Sequence, residues 1–204
     1  MNGEQISVDL GFAKAQVPAG THVCQIFSDS DERTDALLRF LTRGLQAGES
    51  TACFSENVTE QELEAWFAKE GLSLAAERAS GRFANSPTKQ VYFQDGRFDP
   101  DRMLALLTQF HLASVAAGRP GARVIGEMSP EINSIPGGTR LLEYESRVNH
   151  LLQAHPVTAV CQYDARCFDG ATIMDVLTVH PMMVIRGAVV LNPFYVAPET
   201  IARG

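Results

Sequence analysis

No run of about 18 or more apolar residues occurs in this 204-residue chain, so no segment is long enough to cross a bilayer as a helix. The amino terminus, MNGEQISVDLGFAKAQ, lacks a basic segment followed by an apolar core; no signal peptide is expected and the protein reads as cytoplasmic. Basic clusters are missing too. With 17 Lys and Arg against 24 Asp and Glu, net charge −7, there is no patch to neutralise phosphates and no zinc-finger spacing, which argues against direct nucleic-acid binding. Cysteine is sparse: Cys24, Cys53, Cys161 and Cys167 are widely spaced and mostly inside apolar runs, the pattern of reduced core thiols and not of a disulfide framework. There is no HExxH, no nucleophile elbow and no Ser or Cys with a base at motif spacing, so no catalytic residue and no metal ligand is assigned and a non-enzyme is expected. No cofactor is expected either.

What the chain does have is alternation. Apolar strands are expected at 22–27 (HVCQIF), 50–55, 122–128 and 158–164, and a hairpin at 182–192 turning at Arg186-Gly187. Between them lie amphipathic helices at 29–46, roughly 59–70 and from Asp99-Pro100 to about Ala117, a turn and helix over 136–155, and a short helix near 169–178. Residues 71–98 are broken by Gly71, Gly81, Pro87 and Gly96, and short strands or turns are expected around GRFANS and VYF. The order predicts one α/β domain over 1–204, a three-layer sandwich with a mostly parallel central sheet, its core about 20–198 and 1–19 a polar lead-in. The helix LLEYESRVNHLL pairs Glu143 with Arg147 and sets Glu145 and Asn149 in a second solvated row. Its apolar residues spread wider than one stripe, so part of it is expected to meet a partner, a ligand or a second copy in a homo-oligomer.

The first strand, turn and helix form the frame in which a nucleotide-binding protein carries a phosphate loop, yet the turn reads SDSDERT. A phosphate cradle needs glycine-exposed amides and a lysine; here Asp29, Asp31 and Glu32 would repel a triphosphate.

HVCQIF, GLQAGE, FDPDRM, RVIGEMS, LLEYESRVNHLL, VCQYD, VLTVHPMMVIRG and NPFYVAP, in that order from about His22 to Pro198, resemble the MEDS family, the methanogen/methylotroph and DcmR sensory domain. The resemblance implies a RecA/KaiC-like fold lacking Walker motifs, strand order 5-1-4-3-2, and a sensory role with hydrocarbon derivatives as suggested ligands. Family members are often joined to a helix-turn-helix or kinase module. Because nothing follows Gly204, the signal is expected to pass to a histidine kinase or transcription regulator on a separate chain.

In that order the strands of Cys24 and Cys161 are neighbours, and each Cys-Gln pair splits between the two sheet faces. An amide in an apolar run must find partners, so Gln25 and Gln162 are expected either to bond loops over the sheet or to line a pocket at the carboxyl ends of the strands. Glu127, at the end of its strand, shares that edge with Ser28, Tyr163 and Asp164, completing the predicted ligand-binding set Gln25, Ser28, Glu127, Gln162, Tyr163 and Asp164. Glu127 could instead pair with Arg140 or Arg166. His22 and His180 fall at the opposite edge and read as structural. Three alternatives stand beside the sensory reading: a pure protein-interaction module, a residual ATP binder, and a carboxylate-dependent enzyme using Glu127 and Asp164.

Overall fold

The computed structural model describes residues 6–197. Among the described residues, nine strands and seven α-helices follow one another as β1 Ser7–Asp9, β2 Gln16–Pro18, β3 His22–Phe27, α1 Ser30–Gln46, β4 Ser50–Phe54, α2 Glu60–Lys69, α3 Leu74–Ala79, β5 Phe83–Ser86, α4 Thr88–Tyr92, α5 Pro100–Ala116, β6 Ala122–Glu127, α6 Leu141–Ala154, β7 Val157–Asp164, α7 Gly170–Val179, β8 Met182–Ile185 and β9 Ala188–Leu191. Seven strands form one sheet in the order β5-β4-β6-β7-β3-β8-β9, parallel except for β9. Its inner five strands have the order the resemblance implied, with β5 added at one edge and the hairpin strand β9 at the other.

Both sheet faces are covered, which is why the strands read as continuous apolar runs. One face packs under α1, α2 and α3, through Leu37, Leu41 and Leu45 of α1 and Leu63 and Phe67 of α2. The other packs under α5, α6 and α7, through Met103, Tyr144, Val148, Leu152 and Val176. Local chemistry sets the helix starts. Asp29 accepts from the amides of Asp31 and Glu32 at the head of α1, Thr59 and Glu62 form a capping box on α2, and Asp99-Pro100 opens α5. The β8–β9 turn holds Arg186 at φ 49° and Gly187 at φ 74°, the two left-handed positions of a tight two-residue hairpin.

Three expectations need correction. The segment read as a polar lead-in is a two-stranded antiparallel sheet, β1 with β2, that buries Val8, Leu10 and Val17 against α1. Three apolar side chains on so short a segment suffice to fold it down once a partner face exists, and no periodicity announces them. In 71–98, FANS is a strand, but VYF lies at the end of the short helix α4, and α3 was not expected at all. Glu145 is not on a solvated row: it is 0% exposed. It falls on the stripe of Leu141, Val148 and Leu152, the face of α6 turned to the sheet.

Arg123 of β6 is also enclosed, 1% exposed, and is answered by a bidentate pair with Glu49 (Nε to Oε2 2.6 Å, Nη2 to Oε1 2.9 Å) and by the carbonyls of Asp9 and Phe40.

Candidate functional site

At the carboxyl edge, where a nucleotide-binding relative of this fold would hold phosphate, the chain's own side chains occupy the position. Asp29 takes the first free amides of α1, so the helix amino terminus already has its anion. Arg33, one turn on, is buried and points inward: Nη1 lies 3.3 Å from Oε2 of Glu127, and Nη2 donates to the carbonyl of Asn57 at 3.3 Å. Ser55 and Asn57 complete the shell of Glu127, donating at 2.7 and 2.6 Å. Glu127 therefore pairs with Arg33 and not with Arg140 or Arg166. Asp164 is held by Arg166 through two guanidinium hydrogen bonds, of 2.8 and 2.6 Å, and one from its backbone amide at 2.9 Å; the guanidinium bonds foremost draw its carboxyl below the ordinary value, against the opposing effect of burial.

A cleft of about 260 Å3 remains beside these groups, lined by Asn57, Thr88, Lys89, Glu127, Ser129 and Asp164 among others. Of the predicted set, Glu127 and Asp164 line it. Ser28 is exposed at the end of β3. Gln25 and Gln162 do not line it: both are buried under α1, Nε2 of Gln162 donating to Oε1 of Gln25 at 2.8 Å and to the carbonyl of Arg33 at 3.2 Å. Nε2 of Gln162 thus ties Gln25 to the first turn of α1, while Oε1 of Gln162 is buried without a partner, so the pair binds strand to helix and neither bonds a loop nor lines the cleft. Tyr163 points to the opposite sheet face, where its hydroxyl donates to Glu145 Oε1.

That opposite face carries a cluster the sequence reading missed. His22, Glu145, Cys161 and His180 come from β3, α6, β7 and the residue before the Pro181-β8 turn, and one donor atom from each lies within 4.8 Å of the others. Nε2 of His22 is 3.3 Å from both Cys161 Sγ and Glu145 Oε2; Nε2 of His180 is 3.7 Å, and Cys161 Sγ 3.8 Å, from the same carboxylate oxygen. The imidazole centroids are 4.1 Å apart. Burial, then the neighbouring His22, pushes His180 down to about 3, so it is neutral at physiological pH. Burial, then Glu145, pushes the Cys161 thiol well above its ordinary value. Burial works to raise the Glu145 carboxyl, while the contact with His22, the imidazoles and the Tyr163 hydroxyl work to lower it, and the lowering prevails. Sequence spacing could not reveal this set, because no two of its members share an element. The usable signal was the apolar stripe of α6, which includes position 145.

Outside the cluster, at the amino edge, lies an open groove of about 620 Å3 lined by Gly20, His22, Asn149, Leu152, Pro156 and Met182 among others. No helix among the described residues is long and apolar enough to cross a membrane.

A parallel sheet between two helical layers, with its phosphate position closed by Asp29 and Arg33, defines a RecA/KaiC-like domain. The solved structures agree on the fold. The flagellar accessory protein FlaH of Methanocaldococcus jannaschii superposes with a TM-score of 0.62 at 12% identity, over 91% of this chain and 84% of that one. A KaiC-like protein of Pyrococcus horikoshii OT3 gives 0.57 at 16% identity, over 79% and 71%. Residues 21–181 match the MEDS family, the MEthanogen/methylotroph, DcmR Sensory domain, and the chain belongs to it. The transcriptional repressor DcmR of Methylorubrum extorquens (strain DSM 6343 / CIP 106787 / DM4) is 26% identical over 160 residues, 78% of this chain. The match spans 57% of that repressor's length. The role is sensory or regulatory.

Proposed function

We propose that the chain is a non-catalytic sensor that binds a small ligand at the carboxyl edge of the sheet and passes the signal to a separate histidine kinase or transcription regulator. The observation that carries this reading is the Arg33–Glu127 pair beneath the Asp29-capped helix. The acid that would serve a metal or water in an ATPase is neutralised internally, and the amides that would bind phosphate are taken. The remaining cleft, of about 260 Å3, has room for a compact ligand with a few polar groups. Glu127 and Asp164 line it together with Thr88 and Lys89, the ammonium of Lys89 being paired with Glu131. The same pairing argues against a carboxylate-dependent enzyme, since Arg33 holds Glu127 and Arg166 holds Asp164.

A second reading is favoured by the groove at the amino edge, which is larger and lined by Pro18, Leu152, Pro156, Met182 and Leu191, surfaces suited to an apolar hydrocarbon derivative. Native mass spectrometry of protein purified from its own host tests both readings: a retained small molecule supports a sensor, and hydrogen exchange on adding it back tells which edge is protected. A rise in melting temperature with millimolar ATP and magnesium would instead indicate residual nucleotide binding, and no rise ends that alternative.

A further inference from the structure

We propose that His22, Glu145, Cys161 and His180 are the four protein ligands of a tetrahedral, borderline-soft dication, of which Zn2+ is the type. Hydrogen bonds on the Nδ1 side fix the tautomers of both imidazoles. Nδ1 of His180 lies 2.8 Å from the carbonyl of Val176, which can only accept, so Nδ1 carries the ring proton and Nε2 presents a lone pair. That buried Nε2 has no hydrogen-bond partner. Nδ1 of His22 lies 3.0 Å from Oδ1 of Asn149, whose own amide nitrogen donates to the carbonyl of Val179 at 2.7 Å and so fixes which end faces the ring. Nε2 of His22 is therefore also a lone pair in the neutral ring. Tyr163 occupies the other oxygen of Glu145. The two imidazoles and the carboxylate are thus each held by a hydrogen bond on the far side, with the free atom turned toward the Cys161 sulfur and a common centre, as is usual for metal-ligating histidines and carboxylates.

Distances and charge point the same way. Zinc bonds of about 2.0–2.3 Å set tetrahedral ligand-to-ligand edges of about 3.3–3.6 Å. Four of the six edges measure 3.3, 3.3, 3.7 and 3.8 Å. Without a cation the cluster places three lone-pair acceptors around one thiol proton, unless His22 becomes a buried imidazolium. With a dication the thiol loses its proton to solvent as the metal–sulfur bond forms. Two positive charges then meet one carboxylate, one thiolate and two neutral imidazoles, and the net charge of the buried site is zero. Mixed N, O and S donors select a borderline-soft ion over magnesium or calcium. His22 and Asn149 form part of the floor of the amino-edge groove, which supplies an access route.

The test uses the whole chain stripped of metal and then titrated with Co2+ and with Zn2+. Cobalt is expected to bind near one ion per chain with tetrahedral ligand-field bands and a thiolate charge-transfer band, and zinc to displace it. C161S should lose the charge-transfer band while keeping the far-ultraviolet dichroism of the fold. C24S, changing the neighbouring thiol outside the set, should keep the band. Asn149→Ala, which frees the His22 ring, should weaken affinity about 10–100-fold. Should C161S fail to fold, X-ray absorption of the zinc-loaded wild type decides, with one sulfur at about 2.3 Å among nitrogen and oxygen neighbours expected. Absence of a tetrahedral cobalt spectrum in the folded wild type, a band that survives in C161S, or a zinc shell without sulfur would each overturn the proposal.

Discussion

Gln25 and Gln162 stand opposite each other on β3 and β7, and the amide of one donates to the other at 2.8 Å in a fully buried setting. Their value is mutual. Q25L leaves the Gln162 amide nitrogen with only the Arg33 carbonyl and is expected to cost about 1–3 kcal/mol in urea denaturation. The double change Q25L/Q162L replaces both partners by apolar groups of similar size and should recover most of that loss. Equal and additive losses would mean that the pair is not coupled.

Gly44 sits inside α1, where an exposed glycine replaced by alanine would ordinarily gain about 1 kcal/mol. A Cβ there would come within 2.5 Å of Cδ and 2.6 Å of Nε of Arg123, which cannot retreat because Glu49 holds it. Gly44→Ala is therefore expected to destabilise by about 1–3 kcal/mol, read from the denaturation midpoint. A stabilised variant would show that the Arg123–Glu49 pair is mobile.

Thiol chemistry separates the four free cysteines. Burial pushes the thiols of Cys24 and Cys53 up to about 12, so neither presents a thiolate near neutral pH. Cys167, exposed after β7, is the thiol expected to react rapidly with a disulfide reagent in the folded protein. C167S should abolish the fast phase, while Cys24 and Cys53 react only on unfolding. Rapid modification of Cys53 in the native state would mean that the sheet opens locally.

Asp164 gives a pH dependence of definite sign. Its carboxyl is lowered from an ordinary 3.8, first by the Arg166 hydrogen bond. A lowered acid contributes stability that is complete above the ordinary value and fades as pH falls from there through the folded value. R166Q should return the Asp164 titration, followed by carboxyl carbon NMR, toward 3.8 and flatten the acid limb of the stability curve. An unmoved titration would assign the shift to the backbone of the turn instead.

Much of the fold was legible because long periodic segments carry their own signal. The strands at 22–27 and 122–128, the capped helices α1 and α5, and the hairpin at Arg186-Gly187 each follow from local rules. The elements that were missed are short. α3 and the β1–β2 pair hold their shape through contacts with α2 and α1, which no window of sequence contains. The site divides the same way. Glu127 and Asp164 could be placed at the carboxyl edge from strand direction alone, whereas Arg33 as the partner of Glu127 depends on the angle at which α1 crosses the sheet. His22, Glu145, Cys161 and His180 are separated by as many as 158 residues, and only the β8-β3-β7 order and the tilt of α6 bring them together.

The alternation along β7 has a consequence for how the chain avoids misassembly. Cys161 and Tyr163 project toward α6, while Val160 and Gln162 project toward α1. Sliding β7 by one residue would turn the Gln162 amide into the layer of the histidines and Glu145, and bring the Cys161 sulfur against Gln25 and the Arg33 carbonyl. Ordinary apolar strands tolerate such slips at the cost of imperfect packing. Here a one-residue slip also carries Gln162 away from its partners to the other face, out of reach of water. A Cys-Gln step on each of two adjacent strands is thus a proofreading device for assembly, built from the same four side chains whether or not the folded domain ever meets its ligand.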